Sequence, residues 1–257
     1  MTASVTTEFE QAWQQWRAER EEGLRAQHGW LSLTALHWLT DEAASYPELP
    51  GTWRADGDDV VADGVDGISR LTPVEGAPGI EVRDGARIVE VIRRTGNFAL
   101  RVHDPAASEL ADFDGVPTYA PDRRWQIEGQ FTAFAQPRTI TTGAVVEGLE
   151  HHHNAVGTIT FEIDGVAERL VAFGGTTGDL KVLFTDATSG KTTYPAARNL
   201  AIEAPAAGGR VVLDFNRAAN LPCAFSDYAT CPVAPKENRL SVAIAAGEQS
   251  PRRSGQA

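Results

Sequence analysis

From Thr52 onward, tight-turn residues interrupt the chain every eight to twelve positions. The interruptions read ADGDD, ADGVDG, EGAPG, RDGA, RTGN, EIDGV, TSGK and PAAGGR. Between them lie ARIVEVIRR, NFALRVHD, WQIEGQFTAF, RTITTGAVVEG, VGTITFEID, VAERLVAFG, LKVLFTDA and RVVLDFN. Short alternating runs bounded by such turns are antiparallel strands, and a series of them makes a mainly β fold. The expectation is an antiparallel barrel or sandwich of roughly ten strands. Arg93-Arg94-Thr95-Gly96-Asn97 and Asp164-Gly165 are the clearest hairpin turns, because Gly supplies the left-handed backbone that a tight hairpin needs.

Only the N-terminus carries a long helical pattern. Phe9, Ala12, Trp13, Trp16, the stem of Arg20 and Leu24 recur at close to helical spacing, which predicts an amphipathic helix over 7–26 packed on the β region. GWLSLTALHWL at 29–39 is apolar almost all round and reads as a short buried helix or a strand; periodicity does not separate the two. The simplest organisation is a helical arm over 1–28, a single β-rich domain over 29–249 and a flexible tail over 250–257.

The net charge of −12 over 257 residues argues against nucleic acid, which demands a basic face, and against an anionic membrane. No apolar run approaches a membrane-spanning helix, and the charged first 27 residues lack the apolar core of a signal peptide. A cytoplasmic protein is therefore expected, with Cys223 and Cys231 reduced.

His151-His152-His153 would place His151 and His153 on one face of a strand, close enough to share a metal. Nothing nearby has zincin-like spacing, so a polar strand end is the plainer reading and no metal is expected. The cysteines stand eight residues apart, unlike the knuckles of zinc sites. Buried thiols packing as small apolar groups come first, then a mutual disulfide or redox pair, then metal ligation. There is no G-x-S-x-G elbow, phosphate loop or dinucleotide fingerprint. Gly174-Gly175-Thr-Thr-Gly178 is a glycine-rich turn between strands, with no helix after it to hold a phosphate.

The last third is the most distinctive. Asp186-Ala-Thr-Ser-Gly-Lys-Thr-Thr-Tyr194-Pro-Ala-Ala-Arg198 is followed by Asp214-Phe-Asn-Arg-Ala-Ala-Asn220, by Cys231-Pro-Val-Ala-Pro-Lys-Glu-Asn-Arg-Leu240 and by Ala246-Gly247-Glu248. In these motifs the chain resembles a bacterial and archaeal family of uncharacterised proteins, a domain of unknown function. GWLSL at 29–33, the double arginine at 93–94, Leu100-Arg101-Val102 with Asp104, and Phe113 with Gly115 fit the same resemblance. Leu221 and Ala219 depart from it, standing where a proline and an aromatic residue would be expected. The resemblance implies no settled activity.

The stretch 215–239 lies between strand-like runs at 210–214 and 240–244 and raises the functional question, since structureless loops of this length are uncommon in compact domains. Phe215, Leu221, Cys223, Ala224, Phe225, Tyr228 and Val233 give it apolar anchors, and Pro222, Pro232 and Pro235 stiffen it, so an ordered loop is expected. One reading is that its polar residues only staple that loop. The other is that it walls a small-molecule pocket. Arg198 and Arg217 would then be forks for a carboxylate or phosphate, Asp186, Asp214 and Glu237 candidate acid or base groups, and Tyr194 a donor. Asn216, Asn220 and Asn238 complete the candidate ligand-binding set.

Two function classes stand. In the first, a polar pocket at one end of the β domain binds or hydrolyses a small molecule, an anion being one option, with hydrolysis the least committal reaction. In the second, a non-catalytic domain docks a partner through the helical arm, with Trp13 and Trp16 at the contact. The sequence names no cofactor or substrate, does not decide whether the chain is an enzyme, and is compatible with a homo-oligomer.

Overall fold

The computed structural model describes residues 7–175 and 177–251; the first six residues of the expected arm and residues 252–257 of the expected tail lie outside the described residues. The chain divides into two compact units. One comprises Gly23–Asp114 with Phe225–Ala229, and the other the chain up to Glu22, Gly115–Ala224 and the chain from Thr230.

The helix is α1, Glu8–Leu24. Thr7 and Glu10 start it reciprocally: Glu10 N–H donates to Thr7 Oγ1 at 3.3 Å and Thr7 N–H to Glu10 Oε2 at 2.9 Å, a capping box written T-x-x-E in the sequence. Among the described residues no helix is long and apolar enough to cross a membrane.

In the first unit GWLSLTALHWL resolves into both of its readings. Trp30–Ser32 forms a 3-10 turn and Leu33–Trp38 the strand β1. There follow β2 (Thr52–Asp56), β3 (Asp59–Val65), β4 (Ile68–Leu71), β5 (Ile80–Asp84), β6 (Arg87–Arg94) and β7 (Asn97–His103). They make a four-stranded sheet in the order β1-β7-β6-β5 and a three-stranded sheet β2-β3-β4. Val89, Val91, Leu100 and Val102 of the larger sheet share a core with Trp53, Val60 and Ala62 of the smaller, which makes this unit a sandwich. Trp53 is fully buried, and its indole N–H donates to Pro50 O at 3.0 Å.

The second unit holds β8 (Gln126–Gly143), β9 (Glu150–Ile163), β10 (Val166–Gly174), β11 (Leu180–Phe184), β12 (Arg198–Ile202), β13 (Arg210–Asp214) and β14 (Ala219–Asn220). Its sheet runs β13-β8-β9-β10-β11-β12-β14, open at both edges rather than closed into a barrel. Phe161, Phe184 and Phe215 meet at its centre with ring centroids 5.5 and 5.9 Å apart along the chain of contacts. Aromatic burial of this kind contributes about 1.5–3 kcal/mol per side chain.

The fold is mainly β and antiparallel with one N-terminal helix, as expected, although the described residues contain fourteen strands. Both hairpin turns form. Thr95 and Gly96 (φ 52° and 78°) join β6 to β7, and Asp164 and Gly165 (φ 52° and 80°) join β9 to β10. Two details differ from expectation. WQIEGQFTAF and RTITTGAVVEG do not make separate strands. Residues 126–134 of the first and 138–143 of the second both belong to β8, whose register on β9 jumps between Ala133↔Gly157 and Arg138↔Ala155. Pro137, which has no N–H to give a ladder, sits in that irregularity. Residues 240–244, which read as a strand, are irregular, for a reason that lies in the motifs.

Candidate functional site

The motif Asp186–Arg198 folds into a buried clasp. Asp186 Oδ1 accepts from Thr188 N at 2.8 Å and Thr188 Oγ1 at 2.6 Å, and Thr188 Oγ1 meets Thr193 Oγ1 at 2.8 Å. Arg198 opens β12, over the ring of Phe184 at 5.1 Å, with its Nη2 2.8 Å from Asp186 Oδ2. The same guanidinium takes the carbonyls of Ile244 (3.0 Å), Ala246 and Glu248 (3.4 Å), while Asp186 Oδ1 accepts Ile244 N–H at 3.1 Å. Alternate carbonyls of an extended segment point the same way. Side chains therefore do for 244–248 what a neighbouring strand would do, and no ladder forms. Burial pulls the Arg198 guanidinium below its usual range, and Asp186 opposes that shift.

The asparagines are similarly engaged. Asn238, fully buried, donates to Val171 O and Leu183 O, both at 2.9 Å, and accepts Val171 N–H at 2.6 Å. β10 and β11 pair only at Phe173–Gly174, so its amide bridges them where they diverge. Asn220 gives its N–H to Glu248 Oε2 at 2.6 Å and its side-chain N–H to Gln249 O at 2.8 Å. Arg20 of α1 binds Glu248 Oε1 at 2.9 Å and Asn220 O at 2.8 Å. Asn216 exchanges bonds with the backbone of Asp122 at 3.0 Å in each direction, and its carbonyl accepts the Trp13 indole N–H at 3.1 Å. Trp13 is thus buried at 8% exposure, inside the unit.

The expected loop is ordered around these bonds. Cys223 and Cys231 are buried, with Cys223 N–H 3.3 Å from Cys231 Sγ, and Tyr194 Oη donates to Cys223 O at 2.9 Å. The histidines lie in β9. His151 and His153 share a face with ring centroids 6.2 Å apart, His151 Nε2 reaches Thr230 O at 2.6 Å, and His153 stacks on Phe173 at 4.7 Å.

Open clefts lie among the described residues of this unit. A groove of about 750 Å³ runs beside β13 and includes Gln126, Glu128 and Gln130 of β8. Glu203, Arg210, Asp214 and Arg217 supply its remaining charges. Asp214 is held by Gln126 Nε2 at 3.1 Å and by the Asn216 side-chain amide at 2.8 Å. Arg217 Nε stands 3.6 Å from Asp214 Oδ2, with 42% of its side chain exposed. The second cleft, of about 520 Å³, lies between 138–143 and 233–237 and contains Arg138, Lys236 and Glu237. Of the expected site residues, Asp214 and Arg217 share the first groove and Glu237 lines the second. Asp186, Arg198, Asn216, Asn220 and Asn238 are buried. Tyr194, Arg198, Arg217 and Glu237 do not meet in one pocket.

Sequence reasoning passed over Glu128, Glu203 and Arg210 of the groove, and a charged cluster around Glu90, Arg101 and His103 in the other unit. The signal for that cluster was present: single charges interrupt the otherwise apolar runs RIVEVI and FALRVH.

A family model described as "Protein of unknown function (DUF1684)" matches residues 111–249. The solution NMR structure of an uncharacterized protein from Haloarcula marismortui is similar at 31% identity, covering 54% of this chain and 78% of that one with a TM-score of 0.46. No curated protein matches.

Proposed function

The chain belongs to the DUF1684 family of proteins of unknown function, and from that premise we propose that its family-matched region binds a small polar molecule carrying an anionic group, in the groove beside β13. One observation carries this reading. Arg217 stands at the groove with a long contact to Asp214 and a side chain 42% exposed, so its planar fork can turn to a carboxylate or phosphate. Gln126 and Gln130 offer amides to orient the remainder of the ligand. Glu128 and Glu203 in the same groove disfavour a dianion and favour a molecule that also bears hydrogen-bond donors.

Asp214 acts here as an anchor for Gln126 and Asn216, so binding rather than hydrolysis is what these groups support. The burial of Trp13 leaves less support for docking through the helical arm. A cytoplasmic setting, with Cys223 and Cys231 kept reduced, accompanies the proposal.

The test is a titration followed by amide NMR, using small monocarboxylates with and without an ammonium group. Saturable shifts should gather at 126–130 and 210–217 and disappear in Arg217→Ala. Shifts that persist in that variant, or that gather elsewhere, would refute the assignment.

A further inference from the structure

The unit that holds the groove also has an unfinished strand edge. β13 covers the outer side of β8 only at 126–130. Farther along, residues 138–143 pair with β9 on the inner side, and among the described residues no strand continues the sheet on the outer one.

Three hydrogen bonds fix which way this backbone points. Ala144 N–H donates inward to Leu149 O at 3.1 Å. Gly143 O accepts Val233 N–H at 3.0 Å and Val145 N–H donates to Cys231 O at 2.9 Å, both outward. Successive residues of a strand alternate in the side to which their backbone groups turn. Thr139 and Thr141 therefore present N–H and C=O outward, as Gly143 does, while Arg138, Ile140 and Thr142 direct theirs to β9.

The segment 231–233 begins the missing strand and then leaves it. Pro232 bridges antiparallel to Ala144, but Ala234 N–H turns away to Ala196 O at 3.1 Å. The gap that opens is the cleft of about 520 Å³ between 138–143 and 233–237. Thr139 and Thr141 are exposed along it, and Pro137, with no N–H to give, closes the ladder at the far end. Such an edge is a template for one more strand.

The side chains define the occupant. Ile140, Phe134, Leu221 and Ala234 pack against one apolar cluster with Phe173, so the Ile140 face of the cleft is apolar. The Arg138 guanidinium lies 4.4 Å from the Phe134 ring centroid, at the end where the ladder stops. Together with Lys236 it outnumbers Glu237 in the lining, a local positive excess on a chain of net charge −12.

We infer that this cleft binds the C-terminal end of an extended peptide as an added antiparallel strand, with the terminal carboxylate at the fork of Arg138. The last residue stands opposite Arg138. The residues one and three places before it exchange main-chain hydrogen bonds with Thr139 and Thr141. The residue between those two stands opposite Ile140, shares its face and is apolar. A second copy of this chain fits less well, because its own 233–237 wall would accompany its β8 into a cleft with room for one chain.

The experiment uses the full chain and the acetylated peptide Thr-Val-Thr-Val with a free C-terminus, followed by amide NMR. Saturable shifts should gather at 138–143 and 233–237, with a Kd on the order of 1 mM. The C-terminal amide of the peptide should bind about tenfold more weakly, and the free acid should weaken by about the same factor on Arg138→Ala. Ester substitution separates an added strand from a side-chain contact. An ester oxygen in place of the N–H of the residue before the last, which faces Thr139, should weaken binding about tenfold. The same change one residue earlier, where the N–H faces away from β8, should weaken it far less. Equal losses for the two esters, no loss on Arg138→Ala, or shifts confined to 126–130 and 210–217 would overturn the inference. So would a dimer of the free chain that protects the Thr139 and Thr141 amides, which would assign the edge to a second copy.

Discussion

Arg198 Nη2 lies 2.8 Å from Asp186 Oδ2 with 1% and 0% of the two side chains exposed. The pair is a clasp rather than a catalytic couple, since Arg198 also donates to the carbonyls of 244–248 and Asp186 also accepts from Thr188 and the Ile244 N–H. Removing one partner of a buried ion pair costs about 3–5 kcal/mol, so Arg198→Ala should lose stability on that scale in urea titration. The double variant Arg198→Met with Asp186→Leu should not recover it, because the carbonyls of Ile244, Ala246 and Glu248 still lose their donor. Full recovery would show that the pair acts only through its charges.

Asn238 supports a prediction of the same kind. Asn238→Leu leaves Val171 N–H, Val171 O and Leu183 O without their side-chain partner. At about 1–3 kcal/mol for an unsatisfied buried group, a loss of at least about 3 kcal/mol is expected. A change within about 0.5 kcal/mol would contradict the bridging role.

Gly247 has φ 74°, and a Cβ there would meet Ala218 O at 2.5 Å and Phe215 O at 2.8 Å. Gly247→Ala is therefore both strained and obstructed. Its melting transition should drop well below that of Gly208→Ala, whose Cβ would meet nothing within 4 Å although its φ of 79° is similar. Equal drops would mean that backbone strain alone decides.

His153 links stability to pH. Burial first, then the neighbouring His151, Lys181 and His152, lower its imidazole from 6.5 to about 4. The unfolded chain takes up that proton near 6.5 and the folded chain only near 4, so the contribution is complete above the upper value and is lost as pH falls through the lower one. Because the ring is partly open to solvent, the loss should be only about 1 kcal/mol. Urea midpoints at several pH values in that window should fall more steeply for the natural chain than for His153→Phe.

Much of the fold was legible because turn chemistry and alternation agreed. Thr95-Gly96 and Asp164-Gly165 sit between strands of matching period, and both hairpins form. β8 was harder to read, because Pro137 marks a strand end and an internal irregularity equally well. The expected strand at 240–244 failed for a different reason. Its partners are the backbone of Thr185 and Ala187 at Leu240 and Val242 and the side chains of Asp186 and Arg198 at Ile244, and no pattern within 240–244 can announce partners so far away in sequence.

The site was less legible. Asp, Asn and Arg suit a ligand pocket and a buried staple for the same hydrogen-bonding reasons, and the choice depends on burial that spacing does not encode. Arg198 and Arg217 look alike in sequence, yet one is buried and the other stands 42% exposed beside the groove. Glu90 and His103 carried the opposite kind of signal, charges set within apolar strands, which becomes a cluster only once β6 and β7 are in register.

The most direct measurement compares these two arginines in one experiment, with thermal melting and carboxylate titration carried out on Arg198→Ala and Arg217→Ala. Arg217→Ala should melt close to the natural chain and lose the titration shifts at 126–130 and 210–217, whereas Arg198→Ala should melt far lower. If Arg217→Ala unfolds, or keeps its carboxylate response, while Arg198→Ala stays folded, the division between clasp and groove is contradicted.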